Sequence, residues 1–552
     1  MILGIDVGGT HTDAVLIEDF QVKRKTKVLT NEANLLDSLL AVTTELFRDE
    51  DPQKLERVVL STTLSTNAVV QNKIDRVGML IVSGPGLSPA DLPIQRDVHF
   101  LSGAVNHRGV ETATIDPEEI GRTADGLQRE GIRHVGIVGK FSTRNPQQET
   151  RIRDLINDHL RHVSLGHRMS GHLNFPRRIA TTYLNAAIWE RYQKFVKQIL
   201  YFVKEQGITV PLYILKADGG TFDINRSVDF PVQTILSGPA ASIMGILSMV
   251  DFAEDAIALD IGGTTTDIAI FADGVPLLEP FGIHIEGHKT LIRGLRTRSI
   301  GVGGDSCVRF VDGGLTIGPE REGPAAAFGG PFPTPTDAMI VLGLTDIGDA
   351  GKATAAIEPI AAAMNASLEA AARAIFDRTC EKIVRHVRAF IEEINNEPVY
   401  TIHELLEGKV LKPTAMYIVG GPAEPMSARL GELMGCPASL PRNAEVANAV
   451  GAALARTTAE MTILADTERR TLTIAEEGLQ LTVSPRFTLA EAIAIAKERL
   501  RERALDMGAK ERDLEIEVIE CQEFNMVREY YTAGKNIRVK VQVKPGLIST
   551  LR

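Results

Sequence analysis

The sequence predicts an α/β protein with two related lobes, and three observations lead to this fold class. The chain has 552 residues, more than one hydrophobic core usually serves, so two or three domains are expected. Strand-like and helix-like segments alternate with short connections, a pattern typical of mostly parallel sheets. One motif also occurs twice, as GIDVGGTHTDAVL from Gly4 and as LDIGGTTTDIAI from Leu259.

The two copies of this motif share their polar residues at the same offsets. The identical pairs are Asp6 with Asp260, Gly8 with Gly262, Gly9 with Gly263, Thr10 with Thr264, Thr12 with Thr266 and Asp13 with Asp267. An apolar strand precedes each copy and an alternating strand follows it, so each copy predicts a strand, a tight glycine turn and a second strand. A single copy is equally well explained as an ordinary hairpin. The duplication favours a common function.

Phosphate is the ligand that such a turn favours. Paired glycines have no Cβ, so backbone N–H groups can approach an anion, and threonine hydroxyls add further donors. The candidate phosphate ligands are Gly8, Gly9, Thr10, Thr12, Gly262, Gly263, Thr264 and Thr265. We expect the two turns to bind the two ends of one polyphosphate.

The aspartates of the motif are the candidate catalytic residues. Asp6 and Asp260 leave the first strand of each hairpin, where a carboxylate can hold a hydrated Mg²⁺ that bridges phosphate oxygens. Asp13 and Asp267, on the second strands, are either general bases or braces of their hairpins. Strand alternation favours bracing, because it is expected to turn these two side chains away from the phosphate.

With these motifs the sequence resembles the acetate and sugar kinase/Hsp70/actin superfamily. The segment AMYIVGGPAEPMSARL is similar to the adenosine motif of that superfamily, and it places Gly420, Gly421 and Pro422 beside the adenine. The resemblance implies two duplicated ribonuclease H-like, actin-like ATPase lobes that bind ATP and Mg²⁺ between them.

The helix after the adenosine motif predicts a close helix crossing, because it carries a seam of small residues. The seam comprises Ala444, Ala447, Gly451 and Ala452. An interdomain hinge and an ordinary alanine-lined helix both explain such a seam.

Several segments carry a closer resemblance over nearly the whole chain. They are GIDVGGTHTD, STTLSTNAVVQNK from Ser61, GKFSTRNPQQE from Gly139, NFPRRIATTYLNAAI from Asn174, ADGGT from Ala217, ILSGPAAS from Ile235, LDIGGTTTD, SIGVGGDS from Ser299 and PTDAMIVLG from Pro335. These segments are similar to the hydantoinase/oxoprolinase family of ATP-dependent cyclic-amide hydrolases. Two positions depart from the family pattern: His11 replaces the usual Phe, and Asp305 replaces the usual third glycine of its loop. A small α/β segment stands where the family has a long C-terminal portion.

The family resemblance implies a cyclic-amide substrate of the hydantoin or 5-oxoproline type. Its amide oxygen would attack the γ-phosphate of ATP and water would then open the ring, with positioning and charge neutralisation supplying most of the catalysis. A hydantoinase B-type partner subunit is also implied, and a homo-oligomer is left open. Three other functions are a small-molecule kinase, an ATPase that activates a partner enzyme, and a non-catalytic binding module. The polar residues that both motifs retain disfavour the last of these.

Three domains are expected from the order of the segments. Residues 1–173 form an N-terminal lobe with the first hairpin, and residues 174–457 form a second lobe with the second hairpin and the adenosine motif. The second lobe contains a helical insertion at about 353–408, where apolar residues follow the 3.6-residue period. Residues 458–552 form a small α/β module. A helix near residues 176–207 could link the lobes, and its Trp189 is expected to pack in the interior.

Two further segments have a capping and a phosphate interpretation. In GVGGDS, Gly303 and Gly304 would face an anion at a helix start, or Asp305 would cap that helix. In TTLSTNAVV, capping accounts for one or two polar side chains and a phosphate-side role for the others.

The segment HIEGH is a candidate metal site. In a strand, His284, Glu286 and His288 would share one face, because side chains alternate with period two. That arrangement suits either a metal ion or an exposed hairpin.

Composition restricts the compartment and the partners. The formal net charge is −11, and the chain lacks the basic surface that nucleic-acid binding requires. No apolar run approaches the roughly 20 residues of a membrane span, and no signal peptide is evident at the start. The four cysteines have no metal-site spacing. We expect a cytoplasmic protein with no nucleic-acid or membrane partner.

Overall fold

The chain divides into two compact units. A computed structural model describes residues 1–9, 11–31, 35–86, 92–94, 96–156, 160–251, 254–396 and 410–551. Unit 1 comprises Met1–Ala240, Glu279–Gly294 and Ala452–Ile548, and unit 2 comprises Ala241–Leu278, Leu295–Gly451 and Ser549–Arg552. The boundaries expected from the sequence, after residues 173 and 457, do not coincide with this division.

The central sheet of unit 1 contains the first copy of the motif. Its strands are β1 (Ile2–Val7), β2 (His11–Glu18), β3 (Gln21–Leu29), β4 (Arg57–Thr62), β11 (Leu212–Leu215) and β12 (Thr221–Asp223), in the order β12-β11-β4-β1-β2-β3. Strands β1, β2 and β3 are antiparallel neighbours, whereas β4 runs parallel to both β1 and β11. Every residue of β1 and β4 is buried, as expected for central strands covered on both faces.

A second sheet in unit 1 is parallel and has the order β10-β9-β5-β6. Its strands are β5 (Val77–Val82), β6 (Val98–Phe100), β9 (His134–Gly139) and β10 (His162–Leu165), and a small hairpin pairs β7 (Ala104–Val105) with β8 (Glu111–Ala113). The helices of this part are α1 (Leu35–Leu46), α2 (Leu64–Val70), α3 (Pro117–Arg129), α4 (Gln147–Ile156), α5 (Gly166–Met169), α6 (Phe175–Glu205) and α7 (Ile224–Ser227). Helix α6 starts where the Asn174 side chain accepts the Arg177 N–H, and it lies wholly within unit 1.

The C-terminal part of unit 1 is the expected sheet and helix. Its strands are β23 (Glu460–Asp466), β24 (Thr471–Ile474), β25 (Leu479–Thr482), β26 (Ile516–Arg528) and β27 (Tyr531–Val543), in the order β25-β24-β23-β27-β26, with helix α14 (Leu489–Asp506). This sheet shares a hydrophobic core with the central sheet, because Met461 and Val541 belong to the same buried cluster as Leu3 and Ile5. One apolar face of an antiparallel sheet must be covered, and the first lobe covers it.

Unit 2 repeats the topology of the central sheet of unit 1. Its strands are β13 (Ala256–Ile261), β14 (Thr266–Ala272), β15 (Val275–Pro276), β18 (Thr297–Ile300), β21 (Ala415–Val419) and β22 (Ala438–Ser439). The order is β15-β14-β13-β21-β22, with β18 beside β14. Strands β13, β14 and β15 are antiparallel neighbours, and β21 is parallel to β13. The duplication predicted from the repeated motif is confirmed.

Helices and two small hairpins complete the described elements. The helices are α8 (Ser237–Met249), α9 (Pro335–Val341), α10 (Ala350–Ala363), α11 (Leu368–Asn395), α12 (Ala423–Met434) and α13 (Ala447–Leu454). One hairpin pairs β16 (His284–Ile285) with β17 (His288–Lys289), and the other pairs β19 (Val308–Val311) with β20 (Gly314–Ile317). Helices α10 and α11 occupy the predicted helical insertion up to residue 395. Residues 397–408 of that insertion lie outside the described residues.

The predicted close crossing of helices is confirmed at α8 and α13. A Cβ on Gly245 would lie 2.2 Å from the carbonyl oxygen of Ala447, and a Cβ on Gly451 would lie 2.1 Å from that of Ala241. Neither position can therefore carry a side chain without moving the partner helix. Across the described part of the chain, no helix is both long enough and apolar enough to cross a bilayer.

Candidate functional site

The first glycine turn joins β1 to β2 and is held by backbone and threonine contacts. Gly8 donates its N–H to the carbonyl oxygen of His11 at 3.0 Å, and a Cβ on Gly8 would lie 2.8 Å from that oxygen. Thr12 is fully buried, and its hydroxyl lies 3.0 Å from that of Thr30, which donates to the Gly8 carbonyl. Thr12, predicted as a phosphate ligand, is thus engaged inside the hairpin. Thr10 lies outside the described residues.

Asp6 and Asp13 stand opposite each other in this hairpin. They are cross-strand partners in the β1–β2 register, and partners in an antiparallel pair share one face of the sheet. Both side chains are buried, and Lys27 Nζ lies 3.1 Å from Asp13 Oδ2. Asp13 thus lies on the same face of the sheet as Asp6, and its two predicted roles, a general base or a brace of the hairpin, both stay predictions.

A cavity of about 420 Å³ lies beside the first glycine turn. Its walls include Gly8, Gly9, Thr63 and Asn67, and its cations are Lys73, Arg191 and Lys194. The hydroxyl of Thr62 accepts the N–H of Leu64, the first residue of α2, at 3.2 Å, and that of Thr66 accepts the Leu236 N–H at 2.8 Å. Within TTLSTNAVV, Asn67 donates to the Thr63 hydroxyl at 3.3 Å, and both residues line the cavity, so they stay the candidates for a phosphate.

The second hairpin has the same geometry in unit 2. Gly262 donates its N–H to the Thr265 carbonyl at 2.9 Å, while Thr264 is exposed. Asp260 and Asp267 are cross-strand partners. Burial, and then the charge of Asp260, raise the pKa of Asp267 to about 7. Two adjacent carboxylates at the end of a strand are therefore a like-charge pair that a cation would stabilise.

Two polar residues that the sequence did not single out accompany Asp260. Ser242 on α8 donates to Asp260 Oδ2, and its hydroxyl lies 2.8 Å from Asn448 Oδ1 on α13. Ser242 lies in the quoted segment ILSGPAAS, and Asn448 belongs to the helix with the small-residue seam. Only the crossing of α8 with α13 brings them to the aspartate, so their spacing in the sequence carried no signal.

The oxygen-rich set around Asp260 fits Mg²⁺. Carboxylate, hydroxyl and amide oxygens are the ligands that this ion prefers, and it usually retains several waters. Within the described ranges, no three His, Cys, Asp or Glu side chains form a cluster able to hold a metal by themselves.

The glycine loop 301–306 supports the second glycine turn. Gly304 donates to the Gly262 carbonyl at 2.9 Å, and Asp305 donates its N–H to the Gly263 carbonyl at 2.7 Å. The Asp305 carboxylate would collide with a Cβ on Gly263, at 2.6 Å. A Cβ on Gly303 would lie 2.5 Å from the Gly262 carbonyl oxygen, so the packing of the two turns requires a glycine at position 303.

The role expected for this loop at a helix start is wrong. The element that follows it is strand β19, so Asp305 caps no helix and instead pairs with Arg321 at 3.0 Å. Gly303 donates its N–H to Ser306 Oγ at 2.8 Å, and the Gly304 N–H is also engaged within the protein. The Gly303 N–H therefore holds the loop itself, and the Gly304 N–H holds the hairpin turn.

The adenosine motif lies against the same hairpin. Gly420 has φ 101°, and a Cβ there would lie 2.2 Å from the Ile261 carbonyl oxygen. Pro422 is the N-cap residue just before α12 and contacts Gly304, where a Cβ would be 2.7 Å from the Pro422 Cγ. Gly421 has open space in front of it. Three motifs that are distant in sequence thus meet where the parallel strands β13 and β21 end, the edge at which such sheets bind ligands.

The HIEGH segment is a hairpin and not one strand. β16 and β17 are joined by a turn in which Glu286 has φ 44° and Gly287 φ 78°. The shared face expected for His284, Glu286 and His288 is absent, because the chain reverses direction between the histidines. The alternative reading, an exposed hairpin, agrees with the exposure of His284 and Glu286.

Comparison with known proteins gives the family of the chain. The hydantoinase/oxoprolinase family matches residues 178–461, and the N-terminal region of the same family matches residues 2–160. The caprolactamase subunit alpha of Pseudomonas jessenii is 26% identical over 385 residues, covering 62% of this chain and 54% of that protein. The acetophenone carboxylase gamma subunit of Aromatoleum aromaticum is 25% identical over 389 residues, covering 62% of this chain and 53% of that protein.

The fold is also shared with a solved structure. The crystal structure of the ATP-dependent caprolactamase from Pseudomonas jessenii matches with a TM-score of 0.72 and 20% identity, over 98% of this chain and 87% of that chain. The chain spans about half the length of the curated relatives it matches. Since one family match covers more than half of the 552 residues and a second covers most of the N-terminal part, the chain belongs to the hydantoinase/oxoprolinase family.

Proposed function

We propose that this chain uses Mg·ATP to hydrolyse a cyclic amide of the hydantoin or 5-oxoproline type. The observation that carries the proposal is the meeting of the second hairpin, the glycine loop and the adenosine motif around Asp260. The aspartate-bearing hairpin of unit 1, with its cation-lined cavity, supplies a second phosphate site. A relative named for a cyclic amide, caprolactamase, shares the family and the fold.

In this proposal the glycine turns and Thr63 bind the phosphates, and the adenine lies beside Gly421 and Pro422. Asp6 and Asp260 would hold Mg²⁺, which neutralises charge on the phosphate oxygens when it is bound. The amide oxygen attacks the γ-phosphorus, and ADP leaves. Water then adds to the imidate carbon, the C–N bond breaks to free the amine, and the remaining acyl phosphate is hydrolysed to a carboxylate and phosphate. The whole reaction consumes one ATP and two waters, counting the final hydrolysis.

Asp267 is the better candidate for a base than the alternation of its strand suggested. It shares a face with Asp260, and a pKa of about 7 suits a group that exchanges protons near neutral pH. Bracing of the hairpin is the other role. The variant Asp267→Asn distinguishes the two roles, because asparagine keeps the shape of the side chain but cannot act as the base.

The experiment is an ADP-release assay over cyclic amides, run with a matched pair of variants. We expect hydantoins, 5-oxoproline or a lactam to stimulate release of ADP together with an equal amount of ring-opened product. Asp260→Asn should lower this rate on the order of 100-fold. The control Asp312→Asn, in an exposed turn with φ 51°, should leave it unchanged, because asparagine accepts that backbone conformation.

Other outcomes identify the competing functions. A stable phosphoester formed from a polyol would replace the proposal with a kinase. ADP release that requires a ketone and bicarbonate would indicate a carboxylation, the chemistry for which the acetophenone carboxylase relative is named. Wild-type protein that binds no Mg·ATP in calorimetry would overturn the phosphate assignment altogether.

A companion chain is part of the proposal, because both curated relatives are named as subunits. If a B-type partner completes the substrate site, the isolated chain should bind Mg·ATP with full dependence on Asp260 but release ADP slowly. Addition of the companion should then restore ring-stimulated turnover.

A further inference from the structure

A polar cavity of about 50 Å³ lies in unit 1, and it shares no wall residue with the cavity beside the first glycine turn. Since one water needs roughly 10–15 Å³ on this measure, the cavity has room for three or four heavy atoms. We call it the Arg293 cavity. Its polar walls include Lys216, Asp218, Arg293, Thr458, Glu460 and Glu476.

The guanidinium of Arg293 lies at this cavity, and its two terminal nitrogens have no hydrogen-bond acceptor. Its Nη1 and Nη2 atoms are buried, and neither has a hydrogen-bond partner. Nη1 lies 3.6 Å from Asp218 Oδ2, which is longer than a hydrogen bond. Buried donors of this kind are normally satisfied, and an unsatisfied one is costly.

Asp218 is already engaged and cannot complete the shell of Arg293. Its Oδ1 accepts the Gly220 N–H at 3.0 Å, and its Oδ2 accepts the Thr458 hydroxyl at 2.9 Å. Lys216 lies 3.4 Å from the same Oδ2. The Asp218 carboxylate therefore lies beside two cations, Lys216 and Arg293. The neighbouring carboxylate, Glu460, is paired with Lys540 at 2.9 Å.

Glu476 presents a second unsatisfied atom at the cavity wall. The residue is 5% exposed, and its Oε1 accepts the N–H groups of Gly171 and Thr462 at 3.1 and 3.2 Å. Oε2 is buried and has no partner. Burial raises the pKa of this carboxyl above its ordinary value. The cavity walls carry four cations, Arg168, Lys216, Arg293 and Arg503, against three carboxylates. With the unsatisfied donors of Arg293, this balance of charge favours an anion.

The Arg293 cavity also adjoins an open cavity of about 630 Å³, because the two share four wall residues. These are Arg168, Glu476, Arg503 and Met507. Two of the shared residues are cations, and one of them, Arg168, pairs with Asp229 at 3.1 Å.

We propose that the Arg293 cavity binds the carboxylate group of a small organic acid, with Arg293 Nη1 and Nη2 donating to it in parallel. A guanidinium matches a carboxylate in this bidentate geometry, which a lysine cannot reproduce. The cavity contains no residue of the phosphate hairpins. This proposal can therefore be tested separately from the proposed ATP chemistry.

The test uses the full chain and acetate or propionate as the probe, followed by thermal unfolding and calorimetry. Acetate should raise the unfolding temperature with a saturable dose dependence, whereas neutral acetamide and chloride at equal concentration should not. Arg293→Gln should weaken acetate binding by about 10-fold to 100-fold, the range for hydrogen bonds to charged groups. The control Arg122→Gln, at an exposed site on α3, should bind acetate as the wild type does.

The variant Arg293→Lys and the ligand Mg·ATP distinguish a loss of acetate binding from a loss of folding. Arg293→Lys retains the charge and loses the parallel pair of donors, so at least 10-fold weaker binding is expected even if Arg293→Gln folds poorly. Binding of Mg·ATP should be unchanged in both variants, which reports that the hairpins are folded. Equal shifts with acetate and acetamide, an unaltered affinity in the Arg293 variants, or no saturable binding would show that the cavity holds water only.

Discussion

Individual aspartates at the two hairpins owe their chemistry to their neighbours. Asp13 and Asp267 occupy the same position of the repeated motif, and each faces an aspartate across the strand pair. In the first hairpin Lys27 lies 3.1 Å from Asp13. In the second, burial and the charge of Asp260 raise the pKa of Asp267 to about 7. Identical motifs therefore have different electrostatics, which the motif itself could not indicate.

Gly420 and Gly421 make a matched pair for testing the adenosine motif. Gly420→Ala should lower the free energy of unfolding by about 2–3 kcal/mol, because φ 101° is strained for alanine and its Cβ would meet the Ile261 carbonyl. Gly421→Ala meets nothing within 4 Å and should change stability by less than about 0.5 kcal/mol. Urea unfolding measures both. Equal effects would contradict the packing described for Gly420.

At the scale of single elements, helix α6 is anchored to the parallel sheet by its one tryptophan. Trp189 stacks on His162 of β10 with ring centroids 4.3 Å apart and an interplanar angle of 12°. Burial lowers the pKa of His162 to about 3, so the ring stays neutral in the folded protein. This agrees with the expectation that Trp189 packs in the interior.

The His162 site predicts a loss of stability in acid. Its pKa is depressed in the folded state, so below about pH 6.5 the unfolded chain binds a proton that the folded chain does not, and stability falls as the pH drops toward 3. Between pH 7 and pH 5 this one group should account for about 2 kcal/mol. His162→Phe keeps the stacking and should flatten the acid limb by that amount, as measured by Trp189 fluorescence in urea. An unchanged slope would mean that His162 is accessible to protons in the folded state.

At the scale of the whole chain, separate stretches of sequence build one hydrophobic core. Unit 1 combines the N-terminal 240 residues with residues 452–548. Side chains of β23 and β27 belong to the same buried cluster as those of β1 and as Tyr192 and Phe195 of α6. The C-terminal sheet is therefore a structural part of the first lobe.

This shared core predicts that the C-terminal sheet and α6 unfold together. Val541 is fully buried on β27, and Val541→Ala should lower the stability reported by Trp189 fluorescence by about 1–3 kcal/mol. Val527, on the same hairpin, is 64% exposed, so Val527→Ala is the control and should have little effect. A Trp189 transition that does not move, beside an earlier transition in circular dichroism, would show that the C-terminal sheet unfolds independently.

Much of the fold could be predicted from the sequence because it depends on local patterns. The buried runs of β1 and β13, the glycine turns and the 3.6-residue period of α10 and α11 are each encoded within a few neighbouring residues. Two predictions made from shorter segments were wrong: the helix after the GVGGDS loop and the single strand at HIEGH. Short segments of five or six residues carry no period long enough to separate a turn from a strand or a helix start.

The sequence by itself determined the duplication, the two glycine hairpins and the family, since each is a matter of residue identity at fixed spacing. Only the tertiary structure decided which groups meet. The crossing of α8 and α13 brings Ser242 and Asn448 to Asp260, and the return of residues 279–294 to unit 1 brings Arg293 to Asp218. Contacts between residues distant in the chain depend on how helices and sheets pack, and no local pattern in one sequence records that packing.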